Sequence, residues 1–225
     1  MENKMSVDLD KHVLKTGTLT VGIVCKDGIV LAADNRLSYG GGGGVSYIAD
    51  TANKVVSIND RCLVTTAGNG SDINNTVKLL RAEVKLKELR SRTETSIKQI
   101  ASLTSNVLYQ NIRQPSMIPS IVHFLIAGYD EEGFHLYGAS PDGFLKNVET
   151  YEATGVPFES LAIFDMEYKK NLTLEEGIKL AKKVFTATKG RQPGVGDGWD
   201  IYTIKKDKIE KVSSQKVVDE LKDKE

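Results

Sequence analysis

The sequence predicts an α+β domain in which two antiparallel sheets lie face to face and two layers of helices cover their outer sides. The first observation behind this is element order. Strand-like and helix-like stretches come in runs (strands, two helices, strands, two helices, strands) and do not alternate as they would in a doubly wound parallel sheet. The second is size and continuity. The chain has 225 residues, 40% hydrophobic and 27% charged, with neither a repeat nor a linker, which fits one soluble globular unit.

The elements follow in order. Residues 18–24, 28–34, 54–58 and 61–67 are rich in Val, Ile and Thr and read as strands. Lys26-Asp27-Gly28 turns between the first two and Asn59-Asp60 between the next two. The glycine run at 40–44 reads as a flexible loop, because the Gly-Lys-Ser/Thr and helix start of a phosphate-binding loop do not follow it. Ser71 or Asp72 is expected to cap a helix that shows Ile73, Val77, Leu80 and Val84 on one face. A second helix shows Ile97, Ile100, Thr104, Val107 and Leu108 and must end before Pro115. Strands return at 121–129 and 133–139, with a short one near 148–153. A third helix covers roughly 158–168, and a fourth opens with the capping box Thr173-Leu174-Glu175-Glu176. A Gly/Pro-rich loop at 189–198 leads to strands at 199–205 and 209–212, and the charged tail 213–225 is expected to end in a frayed helix.

Composition excludes several roles. Thirty basic residues balance thirty acidic ones, so no overall field favours nucleic acid or an anionic membrane. No apolar stretch approaches the length of a membrane span. Cys25 and Cys62 sit in apolar strand patterns and read as buried thiols of a reducing, cytoplasmic compartment. His12, His123 and His135 lack metal-ligand spacing, and no cofactor or metal is expected.

One junction carries chemistry. Gly17-Thr18 stands directly before the first strand, behind 17 polar and charged residues that read as a removable extension and lack the apolar run of a signal peptide. Within a chain, such a pair is an ordinary turn feature. Cut before Thr18, however, the chain would begin with a hydroxyl nucleophile and an α-amine base on one residue.

Several short motifs occur here in order: Thr16-Gly17-Thr18-Leu19-Thr20-Val21-Gly22, the stretch 27–36 from Asp27 to Arg36, Asn53-Lys54-Val55, and Thr65-Thr66-Ala67-Gly68. Ala127-Gly128-Tyr129-Asp130 and Leu174-Glu175-Glu176-Gly177 continue the series. With these, the chain from about 11 to 212 resembles a β subunit of the archaeal-type proteasome core particle. The resemblance implies the four-layer αββα sandwich of N-terminal-nucleophile hydrolases, with 1–17 as propeptide and 18–225 as one domain. It implies cleavage between Gly17 and Thr18, Thr18 as nucleophile, Lys54 as the cation beside it, Asp34 as that cation's partner, and Gly68 as an oxyanion N–H donor. By position, Leu37, Ser38, Ala52, Val56, Thr66 and Gly70 would line the substrate pocket, whose small uncharged residues suit apolar side chains. The implied partners are α-ring subunits, other β subunits, unfolded polypeptide substrates and a regulatory ATPase acting through the α ring.

The sequence also departs from that pattern. Ala153-Thr154-Gly155-Val156-Pro157 replaces a stretch that carries a supporting serine in the family. In the loop Arg191–Asp197, Gln192 stands for an aspartate and Val195 for a serine, and Asp197 is two residues off the serine's place. Those groups orient the freed amine in the family. Two readings therefore stand together: an active threonine peptidase subunit, or a ring subunit that cleaves poorly or not at all. On the first, Gln192→Asp with Val195→Ser is expected to raise turnover about tenfold.

Overall fold

The computed structural model describes residues 17–41, 44–49, 51–156, 158–189, 191–192, 194–206 and 208–215. Strands β1 (Leu19–Cys25) and β2 (Gly28–Asp34) form the first hairpin, β3 (Leu37–Gly41) and β4 (Gly44–Ala49) a small second one, and β5 (Val55–Asn59) and β6 (Cys62–Gly68) a third. Helices α1 (Gly70–Ser91) and α2 (Ile97–Arg113) follow. Next come β7 (Val122–Asp130), β8 (Gly133–Ala139), β9 (Leu145–Asn147) and β10 (Tyr151–Gly155). Helices α3 (Phe158–Glu167) and α4 (Leu174–Lys189) precede β11 (Trp199–Lys205) and β12 (Lys208–Gln215).

Two five-stranded antiparallel sheets result, ordered β10-β1-β2-β11-β12 and β5-β6-β7-β8-β9. Three apolar clusters separate the layers. Along β2, Ile29, Leu31 and Ala33 point into the cluster between the sheets, while Val30 and Ala32 point to the other side, under α4. Both faces of β2 are thus buried, which is why its sequence is a continuous apolar run and not an alternation. On the second sheet, Cys62 and Val64 lie beneath α1 and α2 while Leu63 faces the first sheet. Phe124 is wholly buried in the α1/α2 cluster, where truncation to Ala costs about 3–5 kcal/mol. The four-layer αββα expectation agrees with this architecture.

Local signals explain most boundaries. Ser96 caps α2 and Gln99 returns the bond to Ser96 N–H, closing a capping box. Gln114, before Pro115, is extended and ends that helix. Thr173 and Glu176 form the expected box at α4. Four expectations need correction. Asn69, and neither Ser71 nor Asp72, caps α1: its side chain accepts from Ser71 N–H at 3.0 Å. The glycine run is not wholly a loop, because Gly40 and Gly41 extend β3 and Gly44 opens β4, opposite Gly41; residues 42 and 43 lie outside the described residues. Backbone pairing needs no side chain, so glycines can continue a ladder that their neighbours begin. The strand near 148–153 is instead β10 at Tyr151–Gly155, preceded by β9, and β12 is longer than expected. Apart from Gly17, the proposed extension lies outside the described residues, as do residues 216–225 of the tail.

Candidate active site

The β1/β2 hairpin register places the residues before β1 beside the end of β2. Thr20 pairs with Ala33, so the Leu19 N–H reaches the Asp34 carboxylate, donating to Oδ1 at 2.9 Å. Lys54 comes from the second sheet, immediately before β5. Its ammonium Nζ lies 2.8 Å from Asp34 Oδ1 and 2.9 Å from Thr18 Oγ1, so one side chain spans the two sheets at the nucleophile candidate. Thr18, Asp34 and Lys54 are all buried. A buried ammonium persists only with a close counter-charge, and Asp34 supplies it. A cation this close to a hydroxyl favours its alkoxide form.

Asp34 does more than balance charge. Its Oδ2 accepts the Arg36 N–H at 2.8 Å and the Gly196 N–H at 3.0 Å. With Leu19 and Lys54, that brings donors from four chain segments to one carboxylate. Thr66 fixes Lys54 from behind: its N–H donates to Lys54 O at 3.0 Å and its Oγ1 to the same oxygen at 3.4 Å.

Strand alternation sets where the Gly68 N–H points. Thr66 N–H points toward the Lys54 side of β6, and Asn69 N–H points to the other side, onto Ile121 O. Gly68 N–H, two residues after Thr66, therefore points to the Lys54 side, beyond the start of β5. The residue must be glycine. Its φ is +128°, and a Cβ would stand 2.1 Å from Ile121 O.

The residues expected to line a pocket lie on different elements. Ala52 N–H bonds Asn35 O at 2.9 Å, which draws its segment against the end of β2. Leu37 and Ser38 open β3 opposite Ala49 and Ile48. Val56 packs against the α1/α2 cluster, and Gly70 begins α1 in the open, with nothing within 4 Å of where a Cβ would be.

Sequence reading passed over Gly155 as a contact. Its φ is +93° and a Cβ there would lie 1.8 Å from Thr18 O, an oxygen that accepts the Val156 N–H at 2.9 Å. Thr20 and Thr154 share a hydroxyl hydrogen bond at 2.8 Å just inside. The departures from the family pattern also find places. Gln192 donates to Glu159 Oε1, Val195 is buried in the α3/α4 cluster, and Asp197 lies on the surface 3.9 Å from Arg36.

Next to Gly155 lies a 250 Å³ cleft lined by His123, Ser140, Lys146, Glu152 and Thr154 among others. Burial lowers the His123 imidazole below its ordinary pKa, with Asp142 pulling the other way. Among the described residues, no group of three or more His, Cys, Asp or Glu could hold a metal, and no helix is long and apolar enough to cross a membrane.

A family model described as "Proteasome subunit" matches residues 14–204. Similar proteins include "Proteasome subunit beta 1" of Thermococcus onnurineus, 37% identical over 202 residues, covering 89% of this chain and 95% of that protein. "Proteasome subunit beta" of Methanobrevibacter smithii is 32% identical over 213 residues, covering 94% and 98%. "Proteasome subunit beta 2" of Pyrococcus abyssi is 36% identical over 202 residues, covering 89% and 93%.

Proposed function

Because the chain belongs to the proteasome subunit family, as a β subunit of the core particle, we propose that it is a threonine endopeptidase that frees Thr18 by cutting its own Gly17–Thr18 bond. The family assembles into a core particle with α and β subunits, so the working form is taken to be that particle. The observation that carries the reading is the pair of contacts from Lys54 Nζ, 2.9 Å to Thr18 Oγ1 and 2.8 Å to Asp34 Oδ1.

The steps follow from those groups. In the precursor, Thr18 Oγ attacks the Gly17 carbonyl carbon. The C–N bond breaks, the hydroxyl proton ends on the Thr18 nitrogen, and Gly17 is left as an ester on Oγ. Water cleaves that ester, releasing 1–17 as an acid and restoring the hydroxyl. The new α-amine, with a reference pKa near 8, then serves as base at neutral pH. In turnover, Oγ attacks a substrate carbonyl and forms an acyl ester while the leaving amine takes a proton. Water completes hydrolysis. Lys54 stabilises the alkoxide in both rounds, and the Gly68 N–H faces the developing oxyanion. Unfolded polypeptides are the proposed substrates, delivered by a regulatory ATPase through the α ring, in the cytoplasm.

A second reading, a ring subunit with little or no activity, draws on Gln192 and Val195, which supply neither the acid nor the hydroxyl that would hold the amine. Intact-mass measurement of assembled particles separates the two. The active reading expects a subunit of residues 18–225, a full-length subunit for Thr18→Ala, and loss of peptide hydrolysis by about 100-fold or more for Lys54→Ala. Full-length subunit in mature parent particles would overturn it in favour of the second.

A further inference from the structure

We propose that Gly194 is a positioning residue for cleavage at Gly17–Thr18: its missing side chain is the recess that seats the Gly17 peptide before the bond is cut. This rests on Thr18 as the nucleophile. A Cβ built on Gly194 would lie 2.0 Å from Gly17 Cα, 2.4 Å from its N and 2.8 Å from its carbonyl carbon, the atom attacked. The converse also holds, since a Cβ on Gly17 would lie 2.3 Å from Gly194 Cα. Real side chains do not approach backbone so closely, so each glycine is required by the other.

The loop carrying Gly194 has little room to retreat. Arg191 N–H and Gln192 N–H both bond Thr188 O at 3.0 Å, at the end of α4. Val195 N–H turns back to Gln192 O at 2.9 Å, and its side chain is buried in the α3/α4 cluster. Gly196 N–H is tied to Asp34 at 3.0 Å. Just past the bond, Gly155 packs on Thr18 O while Val156 N–H holds it, and Leu19 N–H is held by Asp34. Gly194 thus meets the Gly17 side of the scissile bond, and Gly155 holds the carbonyl of Thr18 that follows it, in reach of the Lys54–Thr18 pair. A displacement of about 1 Å there is enough to cost on the order of 100-fold in rate.

The three nearest atoms to the missing Gly194 Cβ all belong to Gly17, which leaves with the extension. The effect of a side chain at 194 should therefore be concentrated in the processing step. The test uses particles assembled with their partner subunits, with the rate of conversion to 18–225 followed by intact mass. Gly194→Ala should slow conversion by about tenfold or more. In chains produced already starting at Thr18, the same substitution should depress peptide hydrolysis much less. Conversion at the parental rate, or an equal deficit in the pre-cut chain, would overturn the proposal. A second measurement stands apart from catalysis: in uncleavable Thr18→Ala particles, Gly194→Ala should make 1–17 more accessible to an added protease. Unchanged digestion would also overturn it. Failure of the parent itself to process would instead count against Thr18 as nucleophile, and leave the digestion experiment to decide the seating of Gly17.

Discussion

Gln192 donates its side-chain amide to Glu159 Oε1 at 2.5 Å, which commits it to the first turn of α3. The bond holds the Glu159 carboxyl below its usual pKa, with Arg191 adding to the effect. An aspartate at 192 would meet Glu159 as a like charge. Serine at Val195 would remove methyl groups from a site that is 1% exposed and bury a hydroxyl there. Val195→Ser is therefore expected to lose about 1–3 kcal/mol of stability, and the double variant Gln192→Asp with Val195→Ser to gain no turnover. This reverses the tenfold gain that sequence reading suggests. Thermal melting beside peptide hydrolysis checks it, and faster hydrolysis at an unchanged Tm would refute it.

Asp34→Asn keeps shape and removes charge. Every donor now at Asp34 would meet either a neutral oxygen or an NH2 group, and Lys54 would lose its buried counter-charge. A loss of about 3–5 kcal/mol is expected, with processing at Thr18 abolished. Urea unfolding of the subunit and intact mass of the particle measure both. Normal processing of Asp34→Asn would show that Lys54 is held by other means.

Asp130 gives a pH-dependent prediction. Burial alone would raise its carboxyl. Backbone N–H donors at Ile97 and Glu132, together with His135, outweigh that and hold it below the ordinary value of 3.8. A carboxyl depressed by folding contributes stability above its unfolded pKa and loses it as pH falls through the folded one. The parent should therefore exceed Asp130→Asn in urea midpoint near neutrality, with the gap closing below about pH 4. A gap that stays constant down through acid pH would contradict this.

The two cysteines should be inert. Burial first, then the charges of Asp27 and Glu176, push the Cys25 thiol up to about 12, and burial alone raises that of Cys62. The thiolate is the reactive form. Iodoacetamide at neutral pH should leave both unmodified in the folded subunit and label both in guanidinium, as counted by mass. Stoichiometric labelling of folded protein would mean that these strands open readily.

What the sequence disclosed was local. Ile97, Ile100, Thr104, Val107 and Leu108 are all buried on α2, as their spacing implies. The hairpins of Lys26-Asp27-Gly28 and Asn59-Asp60 form because their turn residues and apolar runs agree. Thr18, Asp34 and Lys54 were linked only through the family resemblance, since nothing in their spacing requires contact across two sheets. Nothing in the sequence marks Gly155 and Gly194, because the need for glycine comes from distant backbone, Thr18 O and Gly17. Asn69 lost to Ser71 on paper because adjacent polar residues satisfy the same capping rule. The glycine run gave no side-chain pattern from which pairing could be read.

The donors gathered on Asp34 also impose an order in time. A chain made from its N-terminus presents Thr18, Asp34 and Lys54 early, and Leu19 and Arg36 can bond the carboxylate within the first hairpin. Gly196 arrives only when almost all of the sequence has emerged and α4 has set its loop. The candidate centre is therefore finished last, although its principal residues are synthesised first. A nascent chain that stalls midway holds a hydroxyl, a cation and a carboxylate, but lacks the Gly196 donor and the loop of the proposed seating.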